Sequence, residues 1–468
     1  MNSLLAEGLM QLFFIYMLYV FGGYAILNLL ALFWLRHNNE LREYLLHETR
    51  LTGQEPGVAI IVPAYNEGTG IVSSVRSLLQ QEYGSFEIIV INDGSSDNTL
   101  ESLIQEFDLY EFPQAYCQRF QTAPIRKVYR SRIEHRLRVV DKENGGSKAD
   151  AANAGLNIAM QPLVCFMDAD EVLDRHALLR TVQFFLDDKA VIACGGTLRP
   201  LNGCQVENGN LIRDEIPRNP WALFQTVEYL RSFLCGRIGW GQLNSVLIIS
   251  GGYGVFRTDL TVEAGGFDKN MLGEDMDLVL RLHQLMLKKK VPYKIHFLPE
   301  TTCWTEVPES LGVFKNQRAR WQRGLMQCLW AYRSFFFSFR APAIGWLAMP
   351  FFLLVECLSP LVELVGIVML IYLFSTSQIE PTSLLTLGLF ALTMSMLLST
   401  TSVMLNSITP GNKTDIRSTM ILMGTILLEP LIYHPVHTFC RLIGMLQWLR
   451  GSKPNWGTMT RTGNWQNS

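Results

Sequence analysis

An uninterrupted apolar run near the N-terminus constrains this chain more than any other feature. From Leu9 to Leu35 nearly every residue is apolar and none is charged. As a helix, these 27 residues are long enough to cross a hydrocarbon core of about 30 Å with some tilt. A buried core helix is the alternative, but such helices seldom run this long without a polar face. The sequence therefore predicts a transmembrane helix over residues 1–36.

The charges around this run predict its orientation. Arg36, Arg42 and Arg50 follow it, whereas only Glu7 precedes it. Because Lys and Arg accumulate on the cytosolic side of membrane helices, the N-terminus is predicted outside and the chain after Arg36 in the cytosol. No Lys or Arg precedes the run and no small-residue cleavage site ends it, which argues against a secretory signal.

The composition excludes several classes of protein. The chain has 468 residues, of which 18% are charged and 49% hydrophobic, and its formal net charge is −2. Without a basic excess, nucleic acid is not expected as a partner. The nine cysteines are scattered, with no C-x-x-C pair, which favours reduced thiols over a zinc site or a disulfide framework.

Between residues 57 and 300, short β-rich runs alternate with amphipathic stretches. The clearest runs are apolar nearly throughout, as strands buried on both faces of a parallel sheet should be. They are VAIIVPAY (58–65), FEIIVIND (86–93), LRVVDKE (137–143) and LVCFMDAD (163–170). This repetition predicts a doubly wound α/β domain, which we place in the cytosol over residues 37–305. Ligands of such domains bind at the carboxyl ends of the strands, so chemistry is expected at the polar residues there.

The chain changes character again after Thr305. Residues 315–336 mix Arg and Lys with Trp, Leu and Phe at helical spacing. Such a helix suits the membrane interface, with its cations toward the headgroups and its aromatic rings inward. An interfacial amphipathic helix is therefore predicted within residues 306–340.

Membrane helices are predicted again toward the C-terminus, before a short tail (450–468). Prolines break the first and last of three long apolar stretches, so each is compatible with one helix plus an interfacial piece. The stretches are 341–374, 382–405 and 418–449, and we predict three or four helices over 341–449. Three crossings would place the C-terminus outside, whereas the basic residues near it favour the inside, so its side stays open.

Three glutamates lie in or beside these apolar stretches, where an ionisable group is expensive and usually functional. They are Glu356, Glu363 and Glu429. They could line a passage through the membrane or contact a partner subunit. Alternatively, the proline-broken segments could place them at the membrane–water interface. The sequence does not decide between these alternatives.

Asp168 and Asp170 form a D-x-D pair at the end of an apolar run. Residues two apart in an extended segment point to the same face, so the two carboxylates suit Mg²⁺ or Mn²⁺ bound together with a substrate's phosphates. A solvated turn is the plain alternative. Lys148 follows a glycine pair in NGGSKADAAN, where an ammonium and backbone amides would suit phosphate. The P-loop pattern is absent, which excludes an ordinary ATPase.

Two later motifs complete the candidate chemistry. Glu274 and Asp275 open a helical pattern, where carboxylates act as caps or as a general base beside an acceptor hydroxyl. Gln317, Arg320 and Trp321 are spaced i, i+3 and i+4 and so share a helical face. An amide, a guanidinium and an indole there suit a diphosphate and a sugar ring, although a basic-aromatic interfacial helix shows the same pattern.

In this order and spacing, the motifs resemble those of the family 2 glycosyltransferases, and above all the membrane-embedded processive synthases of cellulose, hyaluronan, chitin-oligosaccharide and poly-N-acetylglucosamine. The resemblance covers residues 57–325. The matching segments are VPAYNE (62–67) and INDGSSDNT (91–99) for the nucleotide-binding strand ends, DADE (168–171) for D-x-D, GED (273–275) in place of T-E-D, and QRARW (317–321) for Q-x-x-R-W.

The resemblance implies a GT-A-type fold and a role for each motif. Asp275, with Glu274 beside it, would be the general base of an inverting displacement at the anomeric carbon. Asp168 and Asp170 would bind Mg²⁺ or Mn²⁺. Donor binding is implied for Tyr65, Glu67, Asp93, Lys148, Asp168, Asp170, Gln317 and Arg320.

The resemblance also implies an acceptor site. Trp321 would stack on the acceptor's terminal sugar. The segment from Ser250 to Gly254 would form part of the acceptor cradle, with Gly252 allowing close approach of a sugar. Tyr253 would bind the acceptor by stacking, and Trp240 is a second candidate; the alternative for both aromatic residues is that they simply pack.

The implied function is polymerisation of a β-linked exopolysaccharide from UDP-N-acetylglucosamine or UDP-glucose. It would take place on the cytosolic side of a multi-pass protein of the plasma (inner) membrane, and the polymer would pass across that membrane. The partners would be the UDP-sugar donor, the growing polysaccharide and membrane lipids. Control by a built-in C-terminal regulatory domain is not expected, and a separate envelope or regulatory subunit is a possible partner.

Two rival functions make different predictions. A non-processive transferase would place one sugar on a lipid carrier, and Q-x-x-R-W argues against it. A channel or transporter whose cytosolic domain senses a nucleotide-sugar would bind without turnover, and Asp275 together with Q-x-x-R-W argues against that.

Overall fold

A computed structural model of the chain describes residues 3–48, 53, 55–412 and 414–451. Almost all of the predicted tail (450–468) lies outside these residues. The described part contains fifteen α-helices and twelve strands, which form a ten-stranded sheet and a two-stranded sheet.

The strands follow the runs that the sequence predicted, with others added between and after them. In chain order they are β1 (Val58–Ala64), β2 (Phe86–Asp93), β3 (Leu109–Glu111), β4 (Ile125–Ser131), β5 (Leu137–Lys142), β6 (Leu163–Phe166), β7 (Val172–Leu173), β8 (Val191–Pro200), β9 (Gln205–Glu207), β10 (Asn210–Arg213), β11 (Gly254–Arg257) and β12 (Lys294–Thr305).

The helices fall into a group between the strands and a group that includes both ends of the chain. They are α1 (Ser3–Glu48), α2 (Ile71–Leu79), α3 (Thr99–Glu106), α4 (Lys148–Ile158), α5 (Ala177–Asp187), α6 (Pro220–Leu230), α7 (Ile238–Gln242), α8 (Thr258–Glu263), α9 (Glu274–Lys289), α10 (Leu311–Ala331), α11 (Met349–Phe351), α12 (Ser359–Ser375), α13 (Pro381–Ile408), α14 (Ile416–Leu428) and α15 (His434–Leu449). Four π-helical segments continue some of these helices: Arg231–Arg237, Ala343–Ala348, Phe352–Cys357 and Glu429–Tyr433.

The large sheet has the strand order β3-β4-β5-β2-β1-β6-β11-β8-β12-β7. Its centre is parallel, since β1 pairs with β2 and β6, and β2 pairs with β5. These four strands are the four predicted runs, and the α/β prediction is confirmed. Antiparallel strands complete the sheet on both sides. Of the strands that the sequence did not predict, β3 and β7 are too short for a recognisable pattern and β4 is mixed with charge. The long strands β8 and β12 pair with each other in parallel.

Both faces of the sheet are buried, as the apolar strands predicted. Ile60 and Val62 of β1 face one hydrophobic core, and Ala59 and Ile61 face the other. Helices α2, α3 and α5 contribute to the first core, and α4 and α9 to the second. The first core also contains side chains from the helices α1, α13 and α14, so the sheet and these helices share one hydrophobic interior.

Three helical stretches of the described chain are long and apolar enough to cross a membrane. They are Gly8–Asn38, Pro381–Ile408 and Ile416–Leu449. A fourth candidate is the pair Ala343–Cys357 and Ser359–Ser375, whose axes meet at 50°. Large apolar side chains of these stretches are exposed, which suits a lipid surface. The chain is a membrane protein.

Candidate active site

A cavity of about 1550 Å³ extends from the carboxyl ends of the central strands to the helices at the two ends of the chain. It is lined by every predicted site residue except Tyr253. The lining residues are Tyr65, Glu67, Asp93, Lys148, Asp168, Asp170, Gly252, Glu274, Asp275, Gln317, Arg320 and Trp321. Residues spread over more than 250 positions of the sequence thus meet in one place.

The end of the cavity beside β1 and β2 presents an aromatic ring and a carboxylate. Tyr65 follows β1 and is half exposed. The turn after it is held by Asn66, whose φ is +57° and whose Oδ1 accepts a 2.8 Å bond from the Ser96 amide. Asp93 ends β2, and its Oδ1 accepts bonds from Lys142 Nζ and from the Gly145 amide at 3.0 Å. One edge of the Asp93 carboxylate is therefore fixed by the protein.

Lys142 is a residue of this site that the sequence analysis missed. Its side chain is fully buried and also lies 2.7 Å from Asp150 Oδ1, so two carboxylates neutralise one ammonium. The available signal was a lysine at the end of the apolar run LRVVDKE. Such a position fits equally well with a strand end in solvent, and only the tertiary structure identifies it as buried.

Lys148 begins α4 and contacts the D-x-D segment. Ser147 caps the helix by accepting a bond from the Asp150 amide, and Lys148 Nζ pairs with the Asp168 carboxylate and donates to the Gly251 carbonyl at 3.1 Å. Burial lowers the pKa of Lys148, but the charges of Asp168 and Glu274 raise it more, so its pKa is raised overall. The ammonium stays charged within the cavity.

Three carboxyl groups follow β6 and face the same part of the cavity: Asp168, Asp170 and Glu171. Burial, together with the charges of the two aspartates, raises the pKa of Glu171 well above its ordinary value. Within the described part of the chain, no group of three His, Cys, Asp or Glu residues is placed to hold a metal ion. Two aspartate carboxylates suit a hard divalent cation whose other ligands are water molecules and phosphate oxygens.

Glu274 and Asp275 stand at the start of α9 and both line the cavity. Burial raises the pKa of Asp275, while the Met276 amide and Arg237 oppose the shift. Burial and the neighbouring charge of Asp275 raise the pKa of Glu274 to about 8. A carboxylate with a raised pKa is a stronger base at neutral pH, so this pair is suited to proton transfer.

Gln317, Arg320 and Trp321 project from α10 into the cavity, as their spacing predicted. The Gln317 side chain is buried, and its Oε1 has no hydrogen-bond partner among the residues that the structure describes. Trp321 is 43% exposed, which leaves its ring accessible. This helix face therefore offers an amide, a guanidinium and an open aromatic surface to a ligand.

Arg318, inside the same motif, was also missed. It is 1% exposed and pairs with Glu228 Oε2 at 2.7 Å. Its guanidinium also donates to the Tyr433 hydroxyl at 3.3 Å and lies 4.2 Å from the centre of the Trp321 ring. Arg318 thus connects α6, α10 and the segment before α15, and it supports Trp321 from behind. Arg318 occupies an x position of Q-x-x-R-W, so the motif did not single it out.

The prediction that Tyr253 binds the acceptor is wrong. Tyr253 is fully buried, and its hydroxyl group bonds to Thr181 Oγ1 at 2.7 Å and to the Ala177 carbonyl at 3.2 Å. The ring packs in the core behind the Gly-rich turn, in the same hydrophobic cluster as Val255 and Phe297. Gly252 does line the cavity, and an added Cβ there would lie 2.2 Å from Glu171 Oε1.

The three glutamates of the apolar stretches also line the cavity, and each has a partner. Tyr24 donates to Glu356 at 2.5 Å, Thr438 to Glu363 at 2.8 Å, and Arg231 to Glu429 at 2.7 Å. The structure thus places all three glutamates in the wall of the cavity.

The sequence is similar to known glycosyltransferases. The family described as Glycosyl transferase family 2 matches residues 59–205, and Glycosyl transferase family group 2 matches residues 163–425. The chain is 29% identical over 271 residues to a poly-beta-1,6-N-acetyl-D-glucosamine synthase of Staphylococcus epidermidis, covering 58% of this chain and 55% of that protein. The corresponding protein of Staphylococcus aureus (strain COL) is 28% identical over 268 residues, with coverage of 57% and 54%. The match thus spans about half the length of these relatives.

A solved structure is similar in fold. It is a mannosyltransferase of Pyrobaculum calidifontis in complex with GDP-Man and Mn²⁺, with a TM-score of 0.50 and 15% identity, covering 92% of this chain and 100% of that one. At this identity the likeness concerns the fold alone, which is GT-A-like. The family group matches more than half of the chain. Together with the cavity at the strand ends, this establishes that the chain belongs to the family 2 glycosyltransferases.

Proposed function

We propose that this enzyme polymerises a β-linked polysaccharide from a UDP-sugar and passes the product into the membrane part of its cavity. The continuity of the cavity carries the proposal, because it joins the strand ends, where α/β folds bind nucleotides, to polar residues of the membrane helices. The similarity to synthases of poly-N-acetylglucosamine supports UDP-N-acetylglucosamine as the first candidate donor, with UDP-glucose second.

In this proposal the donor lies along the strand ends. Tyr65 and Asp93 contact the uridine, with Asp93 held in place by Lys142. Lys148 and Arg320 then neutralise the diphosphate from two sides, and Gln317 donates a hydrogen bond to it. Because charge builds up on the departing diphosphate, these fixed cations favour the transition state over the bound substrate.

Asp275 is the proposed base. Its carboxylate takes the proton of an acceptor hydroxyl, whose oxygen attacks the anomeric carbon as the bond to the diphosphate breaks. Displacement from the opposite face inverts the anomeric configuration. Trp321, which is 43% exposed and supported by Arg318, stacks on the acceptor's terminal sugar.

Asp168 and Asp170 fit a divalent cation in this proposal, because both line the cavity and offer hard oxygen ligands. The absence of a third protein ligand among the described residues is consistent with a diphosphate that completes the coordination shell. When bound, Mg²⁺ or Mn²⁺ supplies positive charge that neutralises the leaving diphosphate.

The product distinguishes the proposed function from its rivals. Purified enzyme in lipid nanodiscs with Mg²⁺ or Mn²⁺ is given a panel of radiolabelled UDP-sugars, and the products are separated by size. We expect a high-molecular-weight product from one donor, UDP-N-acetylglucosamine, and its loss on addition of EDTA. A product of one sugar on lipid would instead indicate a non-processive transferase, and binding without transfer would contradict the enzymatic proposal.

We further propose that the catalytic domain lies on the cytosolic side and that α1, α12 and α13 cross the membrane. Helices α1 and α13 run in the same direction, since Phe14 lies beside Phe390 and Asn28 donates to Thr401. The loop after α13 contacts the catalytic sheet, where the Thr301 amide of β12 donates to Asn412 Oδ1 at 3.0 Å. This places the end of α13 on the side of the catalytic domain.

The stretch Ile416–Leu449 returns to that same side in our proposal, although its length and composition would allow a crossing. It turns at Glu429, which accepts a bond from Ser399 in the cytosolic third of α13. Helix α15 then runs beside α10, with Arg441 Nε donating to Gln322 at 2.9 Å and the rings of Trp448 and Trp330 6.3 Å apart. In this topology the chain crosses the membrane three times, through α1, α12 and α13. The C-terminal end of α15 then lies beside the catalytic domain.

Cysteine labelling tests this topology. The loop between α12 and α13 is predicted outside, so Gln378→Cys will react with a membrane-impermeant maleimide in intact cells. Arg450→Cys, just after α15, and the exposed native Cys117 of the catalytic domain will react only after permeabilisation. Labelling of Arg450→Cys in intact cells would show that Ile416–Leu449 crosses the membrane.

A further inference from the structure

Arg237 is an arginine of the cavity whose charge the protein does not neutralise. The other cavity arginines have partners: Arg231 pairs with Glu429 at 2.7 Å, Arg318 pairs with Glu228 at 2.7 Å, and Arg441 donates to Gln322. Arg320 interacts electrostatically with Glu274. Arg237 has no ion pair or hydrogen bond within the described part of the chain, and its Nη1 is buried without a partner. Because a charge removed from water is costly unless it is paired, this arrangement points to a ligand.

The guanidinium of Arg237 is held in place by aromatic rings. It lies 4.2 Å from the centre of the Phe233 ring and 5.6 Å from that of Phe297. It ends the π-helical segment Arg231–Arg237, and Trp240, one turn further on, packs against Phe351 at 5.4 Å. The position is therefore rigid, and it lies where the catalytic domain meets the membrane helices.

Two carboxylates of the cavity influence the charge of Arg237. Burial lowers its pKa to about 10, and the carboxylates of Asp275 and Glu356 are among the groups that oppose this shift. Neither carboxylate is within ion-pair distance of the guanidinium. Arg237, Asp275 and Glu356 all line the cavity, and the charges of both carboxylates act on the guanidinium.

We propose that Arg237 and Glu356 form a subsite for the acceptor sugar beside Asp275. The guanidinium offers only hydrogen-bond donors, and the Glu356 carboxylate offers only acceptors. A pyranose carries hydroxyl groups that accept from the first and donate to the second, so a neutral sugar unit in the cavity would satisfy both groups. The inference rests on the proposed function, since it takes the molecule beside Asp275 to be the acceptor chain.

The subsite predicts a specific defect. In Arg237→Met the side chain keeps an unbranched apolar stem and loses its charge and its hydrogen-bond donors. Transfer of sugar from UDP-N-acetylglucosamine to the acceptor should fall roughly 10- to 100-fold, the change expected for loss of a hydrogen bond to a charged group. Release of UDP by hydrolysis to water and the KM for the donor should stay within about twofold when measured well above the acid limb of the pH profile. Neither requires the acceptor, and Asp275 is ionised there even without the Arg237 charge. Arg237→Lys should recover part of the transfer, and Glu356→Gln should lower it in the same direction.

The experiment separates this inference from the proposed function. The size of the wild-type product tests the proposed function, whereas the ratio of transfer to hydrolysis in the variants tests the subsite. Arg257→Met is the matched control, since Arg257 is exposed, pairs with Asp259 and lies outside the cavity. Equal losses of transfer and hydrolysis in Arg237→Met, or unchanged transfer in both Arg237→Met and Glu356→Gln, would overturn the subsite.

Discussion

Asp275→Asn is expected to lower sugar transfer by about 10³-fold while the protein still binds UDP. Asparagine has the shape of aspartate but cannot take the proton of the acceptor hydroxyl. Burial is the largest cause of the raised pKa of Glu274 and remains when the charge of Asp275 is removed, so Glu274 is not expected to replace the base. Transfer and UDP binding are measured on the same nanodisc preparation.

The control for this variant removes a carboxylate elsewhere. Asp259→Asn makes the same chemical change on α8, at an exposed position outside the cavity, and should transfer sugar like the wild type. A transfer rate for Asp275→Asn within tenfold of the wild type would show that another group is the base.

The pH dependence of the wild-type enzyme provides a second readout for Asp275. A base acts only when it is ionised, so transfer is present above the pKa of Asp275 and is lost as the pH falls through it. Because burial raises this pKa from its ordinary value of 3.8, the acid limb of the kcat profile should lie above pH 3.8. An acid limb below this value would contradict the assignment.

Arg320 and Arg318, two positions apart on α10, should give opposite phenotypes. Arg320→Met removes a cavity-lining cation that we place on the departing diphosphate, and kcat should fall by roughly 10²-fold, as for the loss of one transition-state donor. Arg318→Met leaves Glu228 without its buried cation, and such a break costs about 3–5 kcal/mol. Its main effect should be a lower unfolding temperature.

The two variants are measured together by transfer kinetics and by thermal unfolding in nanodiscs. Arg320→Met should unfold at the wild-type temperature, which shows that its loss of kcat is chemical. A stable Arg318→Met with normal activity would mean that the ion pair with Glu228 contributes nothing to stability. A lower unfolding temperature for Arg320→Met would mean that Arg320 stabilises the fold instead of acting on the diphosphate.

The sequence predicted the part of the site that depends on chain order. Strand ends are local features, so Glu67, Asp93 and Asp168 followed from apolar runs and the general rule for α/β sheets, whereas Tyr65 was implied by the family resemblance. The shared face of Gln317 and Trp321 followed from helical geometry.

The remainder depends on contacts between distant residues, which a single sequence does not display. Tyr253 lies in a motif that resembles an acceptor cradle. The orientation of its side chain depends on how β11, which follows the Gly-rich turn, pairs with β6 and β8. Arg237 and Lys142 are ordinary basic residues in the sequence. Burial and the charges around them, which are tertiary properties, distinguish them in the structure.

The hydrophobic core shared by the sheet and the membrane helices has a consequence for biosynthesis. Val403 of α13 and Leu422 of α14 pack in the same interior as Val62 of β1 and Leu35 of α1. The last strand of the large sheet, β12, ends at Thr305, and α13 starts at Pro381. The ribosome therefore finishes the strands of the sheet more than 70 residues before it begins α13. Part of the hydrophobic core of the catalytic domain therefore stays exposed during synthesis. We expect the domain to complete its folding only after α13 and α14 have packed against it.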